Sequence, residues 1–541
     1  MIKNLILALL LISTCSDAKI TLNDLSAKPT SRAKDFMIWQ YLKQNITPSQ
    51  ADKAFSQANN SKSSKLFSAY VKKTKNKDIR YKINCRKKTN LLKIKDTKCL
   101  ELAFTPYKAL KLTKKQRNKL SKKLDSKSKK ELLKILNEKR SIEAYRKYDS
   151  DTILTLFAST GKTYRQKYLN IYLDKDFLDS LTSSWRMTYF INTVVYNNKL
   201  DNLQLSLLDI NGEKLNSKTN FLLALNALKH ADIDAAERYF IYSRVKSKYK
   251  INVDKNNFWL YKVTHKNKYL HALLLSMDIN MYTLYQREKM SIDFENYFIT
   301  LETTKEKHSK KLSNPFDWDT IRQEIKNTDK KELFKLAKFY KQEEMLPVQA
   351  MIIQKAYGHN KHAYLMPYDK YLDGLNLDTK ALIYAIMRQE SSMIPSALSR
   401  SYALGLMQIM PFVTDDLSKR MKNPIKNYND MFLPEYNIKY SRAHIKWMHK
   451  SLYHPLFMAY AYNGGMGFFK KYLMKGNFSS GQYEPFLSME MMSNSESREY
   501  GKKVLANYVM YKKVMGDEVS IVQLFDTLTQ PKKTDRFRAR G

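Results

Sequence analysis

At 541 residues the chain is longer than one ordinary core organises, so two to four domains are expected. A hydrophobic content of 43% excludes a largely disordered chain, and only 13 glycines and 13 prolines disfavour a sandwich or barrel built from many tight turns. The formal charge of +43 would point to nucleic acid in a cytosolic protein. In an exported one it fits contact with polyanions such as lipid head groups or wall-peptide carboxylates, and it equally fits a solvated, lysine-rich surface.

Export is what the N-terminus predicts. Lys3 precedes an uncharged apolar run, Leu5 to Ile12, and Ser16-Asp17-Ala18 supplies small residues where a signal peptidase cuts, giving a signal peptide over residues 1–18. The run falls short of the roughly 20 residues needed to span a membrane; a buried first helix is the bland alternative. Ile12-Ser13-Thr14-Cys15 loosely resembles a lipoprotein cleavage box, although threonine before the cysteine is unfavourable, so lipid anchoring through Cys15 stands as the alternative to an unanchored periplasmic protein. In an oxidising compartment Cys85 and Cys99 are candidates for a disulfide, with two buried free thiols as the alternative. So short a loop would contribute about 3 kcal/mol by loop entropy.

Residues 19–310 read as amphipathic helices joined by short polar turns. Leu132, Leu133 and Leu136 follow the helical period, as do Phe221, Leu222, Leu225 and Leu228. A helix, an Asp-containing turn and a second helix bearing Ala235, Ala236, Tyr239 and Phe240 form the kind of pair that stacks into an α-superhelical solenoid. Without a clean fixed period, an irregular bundle remains the alternative. Asn314-Pro315 and Pro347 break the pattern in 311–370, read as a small helical linker domain. Residues 371–520 change character, with most of the glycines and small-residue loops, and read as the domain that carries function. The remainder, 521–541, reads as a basic tail, unstructured from Lys532. The fold class expected is all-α.

Chemistry concentrates in the helix predicted to open at Asp378-Thr379. Glu390 lies four residues after Ile386 and seven after Ile383, hence on the apolar face. Desolvation there raises a carboxyl pKa toward what a general acid needs; the bland alternative is an ion pair with Arg388 or Arg400. Ser391 and Ser392 end the helix, Pro395 stops its continuation, and Gly405-Leu406-Met407-Gln408-Ile409-Met410-Pro411 reads as a second helix start. Further on, Ala461-Tyr462-Asn463-Gly464 ends a helix with a stacking ring and an amide, a combination suited to sugars.

Glu390-Ser391, Gly405-Leu406-Met407-Gln408, Ala461-Tyr462-Asn463-Gly464 and Glu496-Ser497-Arg498-Glu499-Tyr500 occur in the order found in soluble lytic transglycosylases. The resemblance covers about 371–515. The layout of export signal, helical superhelix, linker and lysozyme-like domain also resembles the large periplasmic members. It implies cleavage of the bond between N-acetylmuramic acid and N-acetylglucosamine in peptidoglycan, without a cofactor. Glu390 would protonate the leaving oxygen and then act as base toward the muramic acid 6-hydroxyl, leaving a 1,6-anhydro end. Ser399, Gln408, Met410, Tyr462, Asn463 and Glu496 would contact or orient substrate, while Leu406, Met407, Tyr500 and Val504 are read as packing. The chain fits a one-carboxylate scheme, because the next acidic residues after Glu390 are Asp415 and Asp416 and two-carboxylate hydrolysis needs a placed partner.

Ile394 stands where the family commonly has asparagine, and Tyr402 where it has glycine. Gly464-Gly465-Met466-Gly467 lacks the strand and Gly-Lys-Ser/Thr of a phosphate loop, and His444, His449 and His454 are spaced by five, off a shared helical face. Neither metal nor nucleotide is expected. The expected partners are peptidoglycan glycan strands, with other cell-wall enzymes and peripheral membrane or wall polyanions as further contacts, no nucleic acid, and a monomeric state. A goose-lysozyme-like hydrolase and a catalytically idle wall-binding scaffold are the competing readings.

Overall fold

The structure, a computed structural model, describes residues 19–138, 141–422 and 424–539; the signal peptide and the Cys15 alternative fall outside them. Regular structure is helical almost throughout, as the composition predicts. Polar caps start the helices: Thr47 Oγ1 accepts from Gln50 N at 3.3 Å while the Gln50 side chain accepts from Thr47 N at 2.8 Å, opening Pro48–Phe55. Among the described residues the named strands are Tyr297–Phe298 and His362–Ala363, a two-residue parallel pair. No described helix is long and apolar enough to cross a membrane.

The chain divides into two units, each built from discontinuous segments. The first takes Asn296–Met458 and Asn507–Val519 together with the described part of Met1–Lys75. Its centre is the helix Leu377–Ser391, in which every residue from Ala381 to Met387 is buried. A helix apolar all round belongs inside a domain rather than on its surface. Tyr384 stacks on Tyr511 with centroids 5.3 Å apart, and Tyr511 donates to Leu365 O at 3.0 Å. Helices Pro315–Asn327, Leu333–Phe339 and Leu346–Ala356 form a neighbouring core of Ile321, Leu333, Tyr340, Val348 and Ile352, into which Ile394 inserts.

The second unit comprises Asn76–Glu295, Ala459–Ala506 and Ser520–Gly541. Successive helices pack each on the next, notably Ser217–Lys229, Ile233–Val245, Lys250–Thr264, Asn267–Leu274 and Met281–Lys289. That is the neighbour-on-neighbour stacking expected of the solenoid. Cys85 and Cys99 are joined by a disulfide, with Cα atoms 5.1 Å apart, between helices Lys77–Lys87 and Thr97–Ala103.

Two expectations change. The stretch 521–539, read as a basic tail, contains the helices Ile521–Thr527 and Pro531–Thr534. Phe525 packs on Phe486 at 4.9 Å, Glu288 accepts from Ile521 N at 2.8 Å, and Arg538 binds buried Asp535 at 2.9 Å and Phe478 O at 2.8 Å. Charge counting missed these apolar and paired residues. The block Gly405 to Ile409 is also a tight turn rather than a helix start: Leu404 and Ile409 exchange backbone hydrogen bonds, and the helix begins only at Pro411.

Candidate active site

Asn376 caps the central helix by accepting from Thr379 N at 2.9 Å, two residues ahead of the predicted opening pair. Ser392, at φ +52°, ends it by donating its N–H to Arg388 O. Glu390 is therefore held in the last turn of a helix whose body is fixed by the core, and its side chain is half-buried. Arg388, one of the ion-pair alternatives, is committed elsewhere. Its guanidinium donates to Ala363 O at 2.9 Å and Asn507 Oδ1 at 2.5 Å and lies 4.3 Å from the Tyr364 ring centroid.

Glu390 opens onto a cleft of about 330 Å³ whose lining also includes Ser396, Ser399 and Gln408. The turn that carries Gln408 is stapled by Asn437, which is fully buried. Asn437 Nδ2 donates to Leu404 O at 2.9 Å and Met431 O at 2.8 Å, and its Oδ1 accepts from Met407 N at 2.9 Å. Gln408 Nε2 donates to Ala397 O at 2.9 Å and Gly405 O at 2.8 Å, which fixes its amide oxygen as the group left to meet a ligand donor. Ser399 Oγ accepts from Ser401 N at 3.2 Å and Ala403 N at 2.8 Å, leaving its hydroxyl hydrogen to donate.

The two departures from the family pattern are the residues by which this loop is anchored. Ile394 is fully buried in the Ile321–Val348 core. Tyr402, at φ +61°, packs its ring 5.4 Å from Phe36 and 5.5 Å from Trp39, and burial pushes its phenol up to about 12. Around it, Lys65 donates to Ser401 O at 2.7 Å and Arg32 to Leu398 O at 2.8 Å.

Sequence reading missed part of the lining: Arg32, Trp318, Asp319, Arg322 and Ser396. The first four come from segments distant in the chain. Ser396 is fully buried, and its Oγ has no hydrogen-bond partner among the described residues. Asp319, the second carboxylate of the lining, is bonded to Arg322 at 2.8 Å. Asp415 and Asp416 are engaged by Tyr428 at 2.7 Å and by Arg420.

Met410 is not on this lining; it precedes Pro411–Ser418 as its N-cap residue. Tyr462 and Asn463 are half-buried near the end of helix Pro455–Gly464. A Cβ on Gly464 would lie 2.3 Å from Ser497 Oγ, and Ser497 donates to Tyr460 O at 3.1 Å. The third and fourth sequence motifs are thus docked on each other. Glu496 is exposed and lines a cavity within the second unit. Among the described residues no group of three His, Cys, Asp or Glu could hold a metal ion.

Glu390 on a rigid helix end faces hydroxyl, amide and indole groups, with Arg32, Asp319 and Arg322 on the same lining, an arrangement in which a carboxyl group can serve as acid or base toward a polar ligand. Residues 375–483 match the family described as Transglycosylase SLT domain. The chain is 29% identical to the soluble lytic murein transglycosylase of Escherichia coli over 212 residues, 38% of this chain and 32% of that protein. The Salmonella typhimurium counterpart is 29% identical over 206 residues, 37% and 31% of the two chains. The matched stretch thus spans about a third of these relatives' length. An inactive mutant of the lytic transglycosylase Slt from Pseudomonas aeruginosa, with a glutamate changed to glutamine, superposes with a TM-score of 0.53 at 13% identity, covering 92% of this chain and 89% of that one. This likeness speaks for the fold.

Proposed function

We propose that the chain is a peptidoglycan lytic transglycosylase that cleaves the bond between N-acetylmuramic acid and N-acetylglucosamine and leaves 1,6-anhydromuramic acid ends. The observation that carries the reading is Glu390, placed by a buried helix in a cleft whose other carboxylate, Asp319, is tied to Arg322. Glu390 gives its proton to the leaving glycosidic oxygen as the bond breaks. The resulting carboxylate then takes the proton of the muramic acid 6-hydroxyl, which attacks the anomeric carbon and closes the anhydro ring. Ser399 donates to a sugar acyl oxygen and Gln408 accepts from a sugar N–H or hydroxyl. On the family motifs, Met410, Tyr462, Asn463 and Glu496 serve as further substrate contacts. Residues 371–520 are the catalytic domain in this reading, with 19–310 and 311–370 as the superhelical and linker domains. The protein works as a periplasmic monomer on glycan strands.

The hydrolytic reading has one feature in its favour, the presence of Asp319 on the same lining. Digestion of purified sacculi followed by mass spectrometry separates the two. Anhydro-muropeptides are the expected products; reducing ends would replace the proposal by hydrolysis. Glu390→Gln is expected to lower turnover by at least about a thousandfold, of the order of an essential acid/base group, while sacculus binding persists. Substantial residual turnover would remove Glu390 from the role.

A further inference from the structure

The second unit contains a cavity of about 460 Å³, and of its lining only Glu496 has been given a part in the proposed reaction. Two long helices begin at its wall, Ser217–Lys229 and Ser495–Val514. Helix N-termini carry partial positive charge and attract anions. The lining holds five cationic side chains, Lys218, Lys246, Lys248, Lys255 and Arg498, against two carboxylates, Glu496 and Glu499.

Lys255 distinguishes this wall from a basic surface. It is 8% exposed, its Nζ lies 4.1 Å from the Phe221 ring centroid, and among the described residues no hydrogen bond from it is seen. Beside it lies an ionic cluster in which Glu490, Arg498 and Lys502 are buried and Glu499 is half-buried. Lys502 binds Glu490 at 3.0 Å and Glu499 at 2.9 Å, and Arg498 binds Glu499 at 3.0 Å and approaches Glu490 at 4.0 Å. Both carboxylates are thereby taken by Lys502 and Arg498. Counting Lys255, the cluster holds three cations and two anions, and the unmatched ammonium is the one on the cavity wall. A buried charge without a hydrogen-bonded counter-ion is unfavourable. Burial accordingly pushes the Lys255 amine below its ordinary range, with Glu499 opposing the shift.

We propose that this cavity is an anion-binding site for a compact oxyanion group, a carboxylate or a phosphate, which bonds to the Lys255 ammonium and completes the charge balance of the cluster. Lys218 and Lys248, both exposed at the rim, draw the anion in. Lys246 is occupied by the carbonyls of Glu213 and Leu215 and acts only through its charge. Glu496 on the lining selects against ligands with crowded negative charge.

Isothermal titration of the full chain at low ionic strength, with inorganic phosphate in one arm and glutarate in the other, tests the proposal. At least one is expected to bind at a single site, and the responding arm identifies the group. Lys255→Met is expected to weaken that binding roughly tenfold or more, the loss of one charge-assisted hydrogen bond. Absence of saturable binding in both arms, or equal affinity in Lys255→Met, overturns the proposal. If that variant does not fold, the wild type serves: acetylation of Lys255, followed by peptide mapping, is expected to slow roughly tenfold when the binding anion is saturating. An unchanged rate overturns it equally. Neither readout depends on turnover, so the result stands apart from the fate of the transglycosylase reading.

Discussion

Gly405→Ala is expected to be far more damaging than its size implies, and Gly374→Ala supplies the control. The two glycines have nearly the same backbone, φ +73° and +75°. An L-residue held in this left-handed region costs about 1–2 kcal/mol, and both variants bear that cost. Their surroundings differ. Nothing lies within 4 Å of a Cβ at Gly374, whereas at Gly405 the new carbon would sit 2.2 Å from Asn437 Nδ2 and 2.2 Å from Met431 O. Asn437 cannot swing aside without losing its bonds to Leu404 O, Met431 O and Met407 N. Three hydrogen bonds at roughly 1 kcal/mol each, in a fully buried site, add about 3 kcal/mol to the backbone term. Urea unfolding should therefore show losses of about 4–5 kcal/mol for Gly405→Ala and about 1–2 kcal/mol for Gly374→Ala. Where Gly405→Ala still folds, kcat/KM on sacculi should fall as well, because Gln408 rides on the same turn. Equal losses for the two variants within about 1 kcal/mol would refute the claim that the Asn437 staple shapes this wall.

Ser396→Ala should leave stability unchanged or slightly raised, since it removes a buried hydroxyl without a partner. If that hydroxyl meets substrate, kcat/KM should fall about three- to tenfold, the worth of one neutral hydrogen bond; an unaltered kcat/KM would exclude the contact. The double variant Cys85→Ser/Cys99→Ser should lose about 3 kcal/mol by loop entropy, read by thermal melting under non-reducing conditions with the wild type alongside. Asp254 should produce a pH-dependent loss of stability, because burial raises its carboxyl from an ordinary 3.8 to about 7. Below the unfolded value both states hold the proton. Between about 4 and 7 only the folded state holds it, so rising pH favours unfolding, by up to roughly 4 kcal/mol, and above 7 the loss is complete. Asp254→Asn keeps an oxygen for Ser276 and Asn280, which both donate to one carboxylate oxygen at 2.9 and 2.8 Å. Its stability relative to wild type should rise across that window; a flat difference would show that Asp254 does not hold its proton in the folded state.

What was legible in the sequence was local. The helix that carries Glu390, its serine terminus and the glycine that ends Pro455–Gly464 all follow from residues within a few positions of each other. The turn at 405–409 was misread as a helix because its hydrophobic residues imitate a helix start. What bends it is Asn437, some thirty residues away, and a side-chain staple leaves no periodic trace. The cleft wall shows the same limit. Arg32 and Trp318 reach Glu390's cleft only through the folded path of the chain, and Ser396 looks like any loop serine until burial removes its water. The two family departures, Ile394 and Tyr402, show in sequence only as missing family residues. In the fold each supplies packing: Ile394 fills the core under the loop, and Tyr402 joins the aromatic cluster of Phe36 and Trp39. An asparagine or glycine there would give up that burial. The loop bearing Ser396 and Ser399 is thus positioned by the packing of Ile394 and Tyr402, beside the helix that carries Glu390.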